Sequence, residues 1–240
     1  MQEFKIFQKF NVLVCFFTDK KDGDLSTKFQ NEIKGFENRA GLCQYLGIRI
    51  NELYEMEQVH STKTVIVNQQ TLKTNFFKKT DALITQEPNV FLMVKAADCF
   101  PVVFFDPRIR LIAAIHAGWR GVIEKIFLEI LLIFTGIGSK PEDILVGIGP
   151  AARKCCFLHK HFIQEKLPEW EKYIAQKGDY KSLDIASFII DKLVSSGIKK
   201  ENIEDCGICT IHNKNYFSHY RSMKNQEPEG RQATIIGLKG

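Results

Sequence analysis

Four short, mostly apolar runs follow one another between residues 81 and 115 of the chain. They occupy residues 81–85, 90–94, 102–105 and 111–115. Runs of this length, rich in Val, Ile and Phe, are typical of buried β-strands, and none approaches the ~20 apolar residues of a membrane span. The last two runs are separated by a turn sequence that contains Pro107, which predicts a β-hairpin.

Longer stretches with apolar residues at helical spacing alternate with these strand clusters. Three helices are predicted at residues 31–47, 121–135 and 183–195, with Gly47, Gly136 and Gly197 at or just after their ends. Further strands are predicted at residues 64–67, 144–148, 216–218 and 234–236. Strands that come in clusters, with helices between them, favour an α+β fold of layered mixed β-sheet over a doubly wound parallel sheet. Because no stretch has linker composition, a single domain spanning residues 1–240 is predicted.

The charge of the chain argues against a nucleic-acid or membrane partner. The formal net charge of +5 comes from 33 Lys+Arg against 28 Asp+Glu, and it is spread along the chain. A nucleic-acid-binding protein would normally carry a basic stripe with interleaved aromatic residues. The apolar run at residues 10–17 is short for a secretory signal and is followed at once by charged residues. We therefore expect a cytoplasmic protein.

Seven cysteines, an odd number, fit a reducing compartment. Cys206 and Cys209 form one CxxC pair, and Cys155 and Cys156 are adjacent. Vicinal cysteines seldom form a disulfide with each other because the geometry is strained. Cys155 and Cys156 are therefore predicted to be inert, buried thiols.

His60, Cys99 and His116 are the strongest candidates for chemistry. Cys99 and His116 each stand at the end of an apolar strand, where a side chain can project into a cleft, and the small residues Gly118 and Gly121 follow. One cysteine and two histidines supply three zinc ligands and leave a fourth position for water, as in catalytic zinc sites. Spacing alone leaves open whether these histidines are ligands or ordinary hydrogen-bonded residues.

Sequence motifs resolve part of that ambiguity. They occur in the order QVH, ADC, HAGWRG, GIGPA with Cys-Cys after it, and YFS…YR…GRQA. Together, over roughly residues 10–238, they resemble the YfiH-type laccase-domain (polyphenol oxidase-like) family, described as purine nucleoside phosphorylases. The segment at residues 20–26 and the GPAARK segment at 149–154 depart from the family pattern, which puts the substrate preference in doubt.

The resemblance implies a specific activity and site. His60, Cys99 and His116 occupy the positions of the family's catalytic zinc ligands, and zinc is favoured over copper. The implied reaction is phosphorolysis of adenosine, inosine, guanosine or 5′-methylthioadenosine to the base and (methylthio)ribose 1-phosphate, together with deamination of adenosine. Arg120 is a candidate phosphate or substrate contact, because a guanidinium matches phosphate bidentately.

Two other functions use the same residues. A Cys-His hydrolase, such as an amidase acting in peptidoglycan editing, would use Cys99 as the nucleophile and His116 or His60 as the base. A single copper site is chemically possible for a phenol oxidase, but six histidines are few for a multicopper enzyme. The preferred nucleoside and the oligomeric state stay open.

Overall fold

The computed structural model describes residues 1–29 and 32–240. Its strands are β1 (Gln2–Glu3), β2 (Leu13–Phe17), β3 (Leu53–Met56), β4 (Thr64–Val67), β5 (Phe76–Phe77), β6 (Ala82–Thr85), β7 (Val90–Ala96), β8 (Phe100–Asp106), β9 (Leu111–Ala117), β10 (Leu145–Ile148), β11 (Leu158–His159), β12 (Ile174–Lys177), β13 (Tyr180–Leu183), β14 (Ile203–Asp205) and β15 (Gln232–Leu238). Its α-helices are α1 (Glu32–Leu46), α2 (Trp119–Ile123), α3 (Ile126–Ile137), α4 (Ile185–Ser195) and α5 (His219–Asn225).

The strands form two six-stranded mixed sheets and a small antiparallel one. The first sheet has the order β1-β2-β15-β7-β3-β5, and the second has the order β14-β10-β8-β9-β6-β4. The small sheet has the order β11-β13-β12. In the first sheet, β7, β3 and β5 are parallel, while β1, β2, β15 and β7 are antiparallel.

The two large sheets pack face to face, and helices cover their outer faces. Successive residues of a strand point to opposite faces. Thus Ile112 and Ala114 of β9 pack against the first sheet, whereas Ala113 and Ile115 pack against α3 and α4. On the other side, α1 covers the outer face of the first sheet with Leu42. The result is a four-layered helix–sheet–sheet–helix arrangement, which confirms the predicted α+β class.

The hairpin predicted across Pro107 is confirmed as β8 and β9, which pair antiparallel along their whole length. The helix predicted at residues 31–47 is α1, and Gly47 at its end has φ +67°; residue 31 lies outside the described residues. The helix predicted at 183–195 begins two residues later, because Leu183 closes β13 and the Asp184 side chain accepts the Ser187 amide at the helix start.

Two predictions were wrong in detail. The helix predicted at 121–135 is two helices, since Lys125 takes a left-handed backbone at φ 59°, and the second helix runs through Gly136 to Ile137, with Gly138 as its C-cap. Residues 216–218, predicted as a strand, form a loop. There the Ser218 side chain accepts the Arg221 amide and begins α5. Within residues 1–29 and 32–240, no helix has the length and apolar character needed to cross a membrane.

Candidate metal centre

The structure brings His60, Cys99 and His116 together. Their ligand atoms all lie within 4.8 Å of one another, and Cys99 Sγ is 3.5 Å from His60 Nε2. The two imidazole rings meet edge to face, with centroids 4.7 Å apart. His116 is buried, whereas His60 and Cys99 are half-buried and remain accessible from one side. The grouping is that of three ligands with an open face.

Each of the three side chains comes from a different part of the two-sheet core. His60 lies in the loop between β3 and β4, with a left-handed φ of 63°. Cys99 lies in the turn between β7 and β8, which carries the chain from the first sheet to the second. His116 is the penultimate residue of β9, directly opposite Pro101 of β8. The hairpin register therefore places the Cys99 turn beside His116.

Asp81, immediately before β6, organises this loop and orients His116. Its carboxylate accepts the His60 amide at 3.0 Å, the Ser61 amide and hydroxyl at 2.7 Å each, and the Val59 amide at 3.1 Å. It also bonds His116 Nδ1 at 2.8 Å. A carboxylate behind a metal-binding imidazole fixes the tautomer and leaves the other ring nitrogen for the metal. In the sequence, Asp81 begins a predicted strand at residues 81–85, and nothing in that pattern indicated this role.

A second carboxylate holds the Cys99 turn from behind. Asp98, with φ 86°, accepts the Thr210 hydroxyl at 2.6 Å, the Ser218 hydroxyl at 3.0 Å and the Tyr220 amide at 2.7 Å. These three donors come from the C-terminal part of the chain. Segments that are distant in sequence thus hold the backbone of the turn that carries Cys99.

Gly118 is needed for the close packing of His60. A Cβ atom added at Gly118 would lie 2.4 Å from His60 Cδ2, well inside van der Waals contact. Gly118, immediately after the strand that carries His116, therefore leaves room for the imidazole of His60. This requirement explains the first glycine of the HAGWRG motif.

The electrostatics favour a thiolate at this site. Burial opposes ionisation of Cys99, but the positive charge of His116 and hydrogen bonds from His116 and His60 outweigh it and lower the pKa of the thiol to about 6. Burial likewise raises the pKa of Asp81, but hydrogen bonds from His116 and Ser61 bring it down to about 2. A thiolate and two imidazoles, one backed by a carboxylate, are a donor set suited to zinc.

The three candidate ligands line a cavity of 1120 Å³. Arg120, the predicted phosphate contact, also lines it and is exposed, with its guanidinium 4.4 Å from the centroid of the Trp119 ring. Within the described residues, Arg120 makes no ion pair. Two other cations of the cavity, Arg39 and Lys95, are each paired with Glu55 at 2.5 Å. Lys28 and Lys224 also line the cavity and form no ion pair within the described part of the chain, so Arg120 is one of the cations available to an anionic ligand.

The prediction that Cys155 and Cys156 are buried was wrong. Cys155 is exposed and Cys156 is half-buried, in a loop at the molecular surface. The loop follows β10 and is held by the Arg153 carbonyl, which accepts the Cys156 amide at 2.9 Å. Neither thiol lines the cavity.

Comparisons with known proteins agree with the motifs. A family model described as multi-copper polyphenol oxidoreductase laccase matches residues 25–239. Purine nucleoside phosphorylase YlmD of Bacillus subtilis is 34% identical over 169 residues, which are 68% of this chain and only 60% of that protein. A purine nucleoside phosphorylase of Corynebacterium glutamicum is 30% identical over 207 residues, covering 84% of this chain and 80% of that protein. The crystal structure of the hypothetical protein YfiH of Bacillus licheniformis has a TM-score of 0.87 at 28% identity and covers 97% of this chain and 95% of that one.

Proposed function

Since the chain belongs to the YfiH-type laccase-domain family, in which similar proteins are named purine nucleoside phosphorylases, we propose that it is a zinc-dependent purine nucleoside phosphorylase. The proposal includes deamination of adenosine at the same site and treats residues 1–240 as one domain. The observation that carries it is the convergence of His60, Cys99 and His116 within 4.8 Å in a cavity of 1120 Å³. We expect the enzyme to work in the cytoplasm without a nucleic-acid or membrane partner.

His60, Cys99 and His116 are the proposed metal ligands. Zinc held by them would supply Lewis-acid polarisation of a substrate oxygen or of water. Asp81 accepts the Nδ1 proton of His116 and so directs Nε2 of that ring toward the thiol and the metal position. The same carboxylate holds the backbone of His60 and Ser61, so one buried charge positions two ligands.

Arg120 is the proposed phosphate contact. Its side chain is exposed to the cavity and forms no ion pair within the described part of the chain, so its N–H groups are available to phosphate oxygens. Arg39 and Lys95, by contrast, already share the Glu55 carboxylate. Phosphorolysis requires phosphate to reach ribose C1′ while the purine leaves, and a guanidinium that holds phosphate in place supplies the positioning part of that requirement.

The remaining wall of the cavity suits a purine. Aromatic side chains contribute flat apolar faces on which a base can stack, and they include Phe29, Phe36, Trp119, Phe157 and Tyr220. A cavity of 1120 Å³ is large enough for a nucleoside together with phosphate. These features support a purine nucleoside as the substrate class.

Incubation with adenosine, with and without phosphate, tests the reaction. Chromatography of the products separates the activities, because phosphorolysis yields adenine and ribose 1-phosphate only when phosphate is present, and deamination yields inosine in either case. Formation of adenine without phosphate would indicate hydrolysis instead. If zinc-loaded protein forms neither adenine nor inosine, the proposal fails.

A Cys-His hydrolase is the second candidate, because Asp81, His116 and Cys99 form a chain of contacts like that of a catalytic triad. A triad leaves no role for His60, whose Nε2 lies 3.5 Å from the same sulfur. A thiolate bound to zinc is not free to attack a carbonyl. Amidase activity that rises when zinc is removed by a chelator would therefore favour the hydrolase.

Copper phenol oxidation ranks last, although the family description names copper. His60, Cys99 and His116 offer a single site, whereas four-electron reduction of oxygen requires several copper ions acting together. Oxygen consumption with a phenol, by copper-loaded protein, would favour this activity over phosphorolysis.

A further inference from the structure

A second group of metal-ligand side chains lies outside the cavity. Cys155, Cys156, Cys209 and His212 place their ligand atoms within 4.8 Å of one another. His212 Nδ1 is 3.3 Å from Cys156 Sγ and 3.6 Å from Cys155 Sγ. None of these side chains lines the cavity that holds the first group.

We propose that Cys155, Cys156, Cys209 and His212 bind a second zinc ion with a structural role. The inference does not depend on the proposed enzymatic activity, because it uses none of the residues of the first site. Three cysteines and one histidine form a complete four-ligand set of the kind found in closed, structural zinc sites.

The distances fit a tetrahedral ion. With Zn–S bonds of about 2.3 Å and Zn–N bonds of about 2.0 Å, a sulfur and a nitrogen ligand lie about 3.5 Å apart, and two sulfur ligands lie about 3.8 Å apart. The two sulfur–nitrogen distances at His212, 3.3 and 3.6 Å, bracket the first value. Because all four ligand atoms lie within 4.8 Å of one another, only small side-chain movements are needed for them to close around an ion.

The backbone already holds the two contributing loops together. Residue Cys209 pairs in parallel with Ala151, and the Thr210 amide donates to the Ala151 carbonyl at 3.0 Å. On the other side, the Cys156 amide donates to the Arg153 carbonyl at 2.9 Å, which turns the adjacent cysteines toward Cys209. Backbone hydrogen bonds therefore position the two loops beside each other, as a specific site requires.

The chemistry of the four ligand atoms also points to a metal ion. Three sulfur atoms and one imidazole nitrogen lie within 4.8 Å of one another. Thiolate and imidazole are ligands that zinc prefers in proteins, so the group is arranged for a divalent ion with soft ligands.

A redox-active cysteine pair or a disulfide would each use fewer of the four side chains than a metal ion does. A redox pair at the CxxC motif is not supported, because Cys206 lies outside the group and its sulfur accepts from Arg153 Nη2 at 3.9 Å. A disulfide between Cys209 and either Cys155 or Cys156 would leave the remaining thiol and His212 without a purpose. Only a bound metal uses all four side chains.

Hydrogen bonds connect the loops of the second group to the turn that carries Cys99. Ala152, three residues before Cys155, donates its amide to the Asp98 carbonyl at 2.8 Å, and Thr210, next to Cys209, donates its hydroxyl to the Asp98 carboxylate. Asp98 directly precedes Cys99. A zinc ion that fixes both loops therefore stabilises the turn that carries a ligand of the first site.

Metal analysis of full-length protein purified under reducing conditions tests the proposal. We expect about two zinc ions per chain in the wild type and about one in Cys156→Ser. Cys206→Ser is the control, since it removes a thiol three residues from Cys209 that lies outside the group, and it should keep both ions. Wild-type zinc content in Cys156→Ser would overturn the proposal.

A second pair of measurements separates this site from the first one and covers a variant that fails to fold. In Cys99→Ala, X-ray absorption at the zinc edge should report three sulfur ligands and one nitrogen ligand, whatever the outcome for nucleoside cleavage. His212→Ala, at an exposed position, should also lose about one zinc ion and melt at a lower temperature. Zinc in Cys99→Ala without a three-sulfur environment, or a Cys209 disulfide found by mass spectrometry under reducing conditions, would refute the second site.

Discussion

Replacement of Asp81 by asparagine tests how one buried carboxylate positions two proposed zinc ligands. The carboxylate is fully buried, and its two oxygens accept from three backbone amides, one hydroxyl and His116 Nδ1. Asparagine keeps one acceptor oxygen and turns the other position into an NH₂ donor. Whichever way the amide is oriented, NH₂ then faces at least one backbone N–H, from His60 or from Ser61.

The magnitude follows from the bonds that are lost. A hydrogen bond to a charged acceptor contributes about 1.5–3 kcal/mol, and a buried donor left without a partner costs a further 1–3 kcal/mol or so. Because part of the network survives in Asp81→Asn, we expect the free energy of unfolding to fall by about 2–4 kcal/mol. Loss of a carboxylate behind a metal-binding histidine typically weakens metal affinity by about 10- to 100-fold.

The assay is a competition between protein and a chromophoric chelator for zinc, in a Cys156→Ser background so that only the first site is titrated. Asp106→Asn is the control, since Asp106 is also a fully buried aspartate of the second sheet, at the far end of β8 from Cys99. It should alter stability without altering zinc affinity. Wild-type zinc affinity in Asp81→Asn would show that the Asp81 carboxylate does not position the zinc ligands.

Four further substitutions give distinct results. Gly118→Ala should displace His60 and weaken zinc binding at least tenfold by chelator competition, whereas Gly136→Ala, where a Cβ meets nothing within 4 Å, should stabilise α3 by about 0.5–1 kcal/mol in thermal melts. Arg120→Ala should raise the KM for phosphate in steady-state kinetics and leave zinc content unchanged; an unchanged KM would remove Arg120 from the phosphate site. Asp184→Ala should lower the free energy of unfolding by about 1 kcal/mol in urea titrations, through loss of the α4 N-cap, without a change in KM.

Local sequence signals predicted the elements whose structure is decided locally. The β8–β9 hairpin follows from two apolar runs around Pro107, and α1 follows from helical spacing ended by Gly47. The break at Lys125 had no such signal, because a lysine gives no sign of a left-handed backbone. Gly136 was predicted to end this helix, but α3 continues to Ile137 and the left-handed backbone that ends it lies at Gly138. The pairing of β15 with β2 and β7, which builds the first sheet, joins segments far apart in sequence and leaves no local pattern.

The candidate site likewise has features that local sequence motifs indicate and features that only the fold reveals. The motifs around His60, Cys99 and His116 indicated which side chains converge, but not that Asp81 and Asp98 hold the loops that carry them. The second group had one readable signal, the Cys-x-x-His spacing of Cys209 and His212, which the neighbouring CxxC pair obscured. Its other two ligands come from a loop more than fifty residues away, and only the fold brings them near.

Phosphorolysis of inosine by wild type and Cys99→Ala, with zinc measured on the same samples, tests whether zinc at the first site is required for the reaction. Cys99 supplies the only thiol among the three proposed ligands of the first site, and the second group does not include it. We predict that ribose 1-phosphate forms with wild type in proportion to zinc at the first site, and that Cys99→Ala falls to the background rate while it keeps the zinc of the second site. Cleavage of inosine by Cys99→Ala at the wild-type rate would show that zinc at the first site is not needed for phosphorolysis.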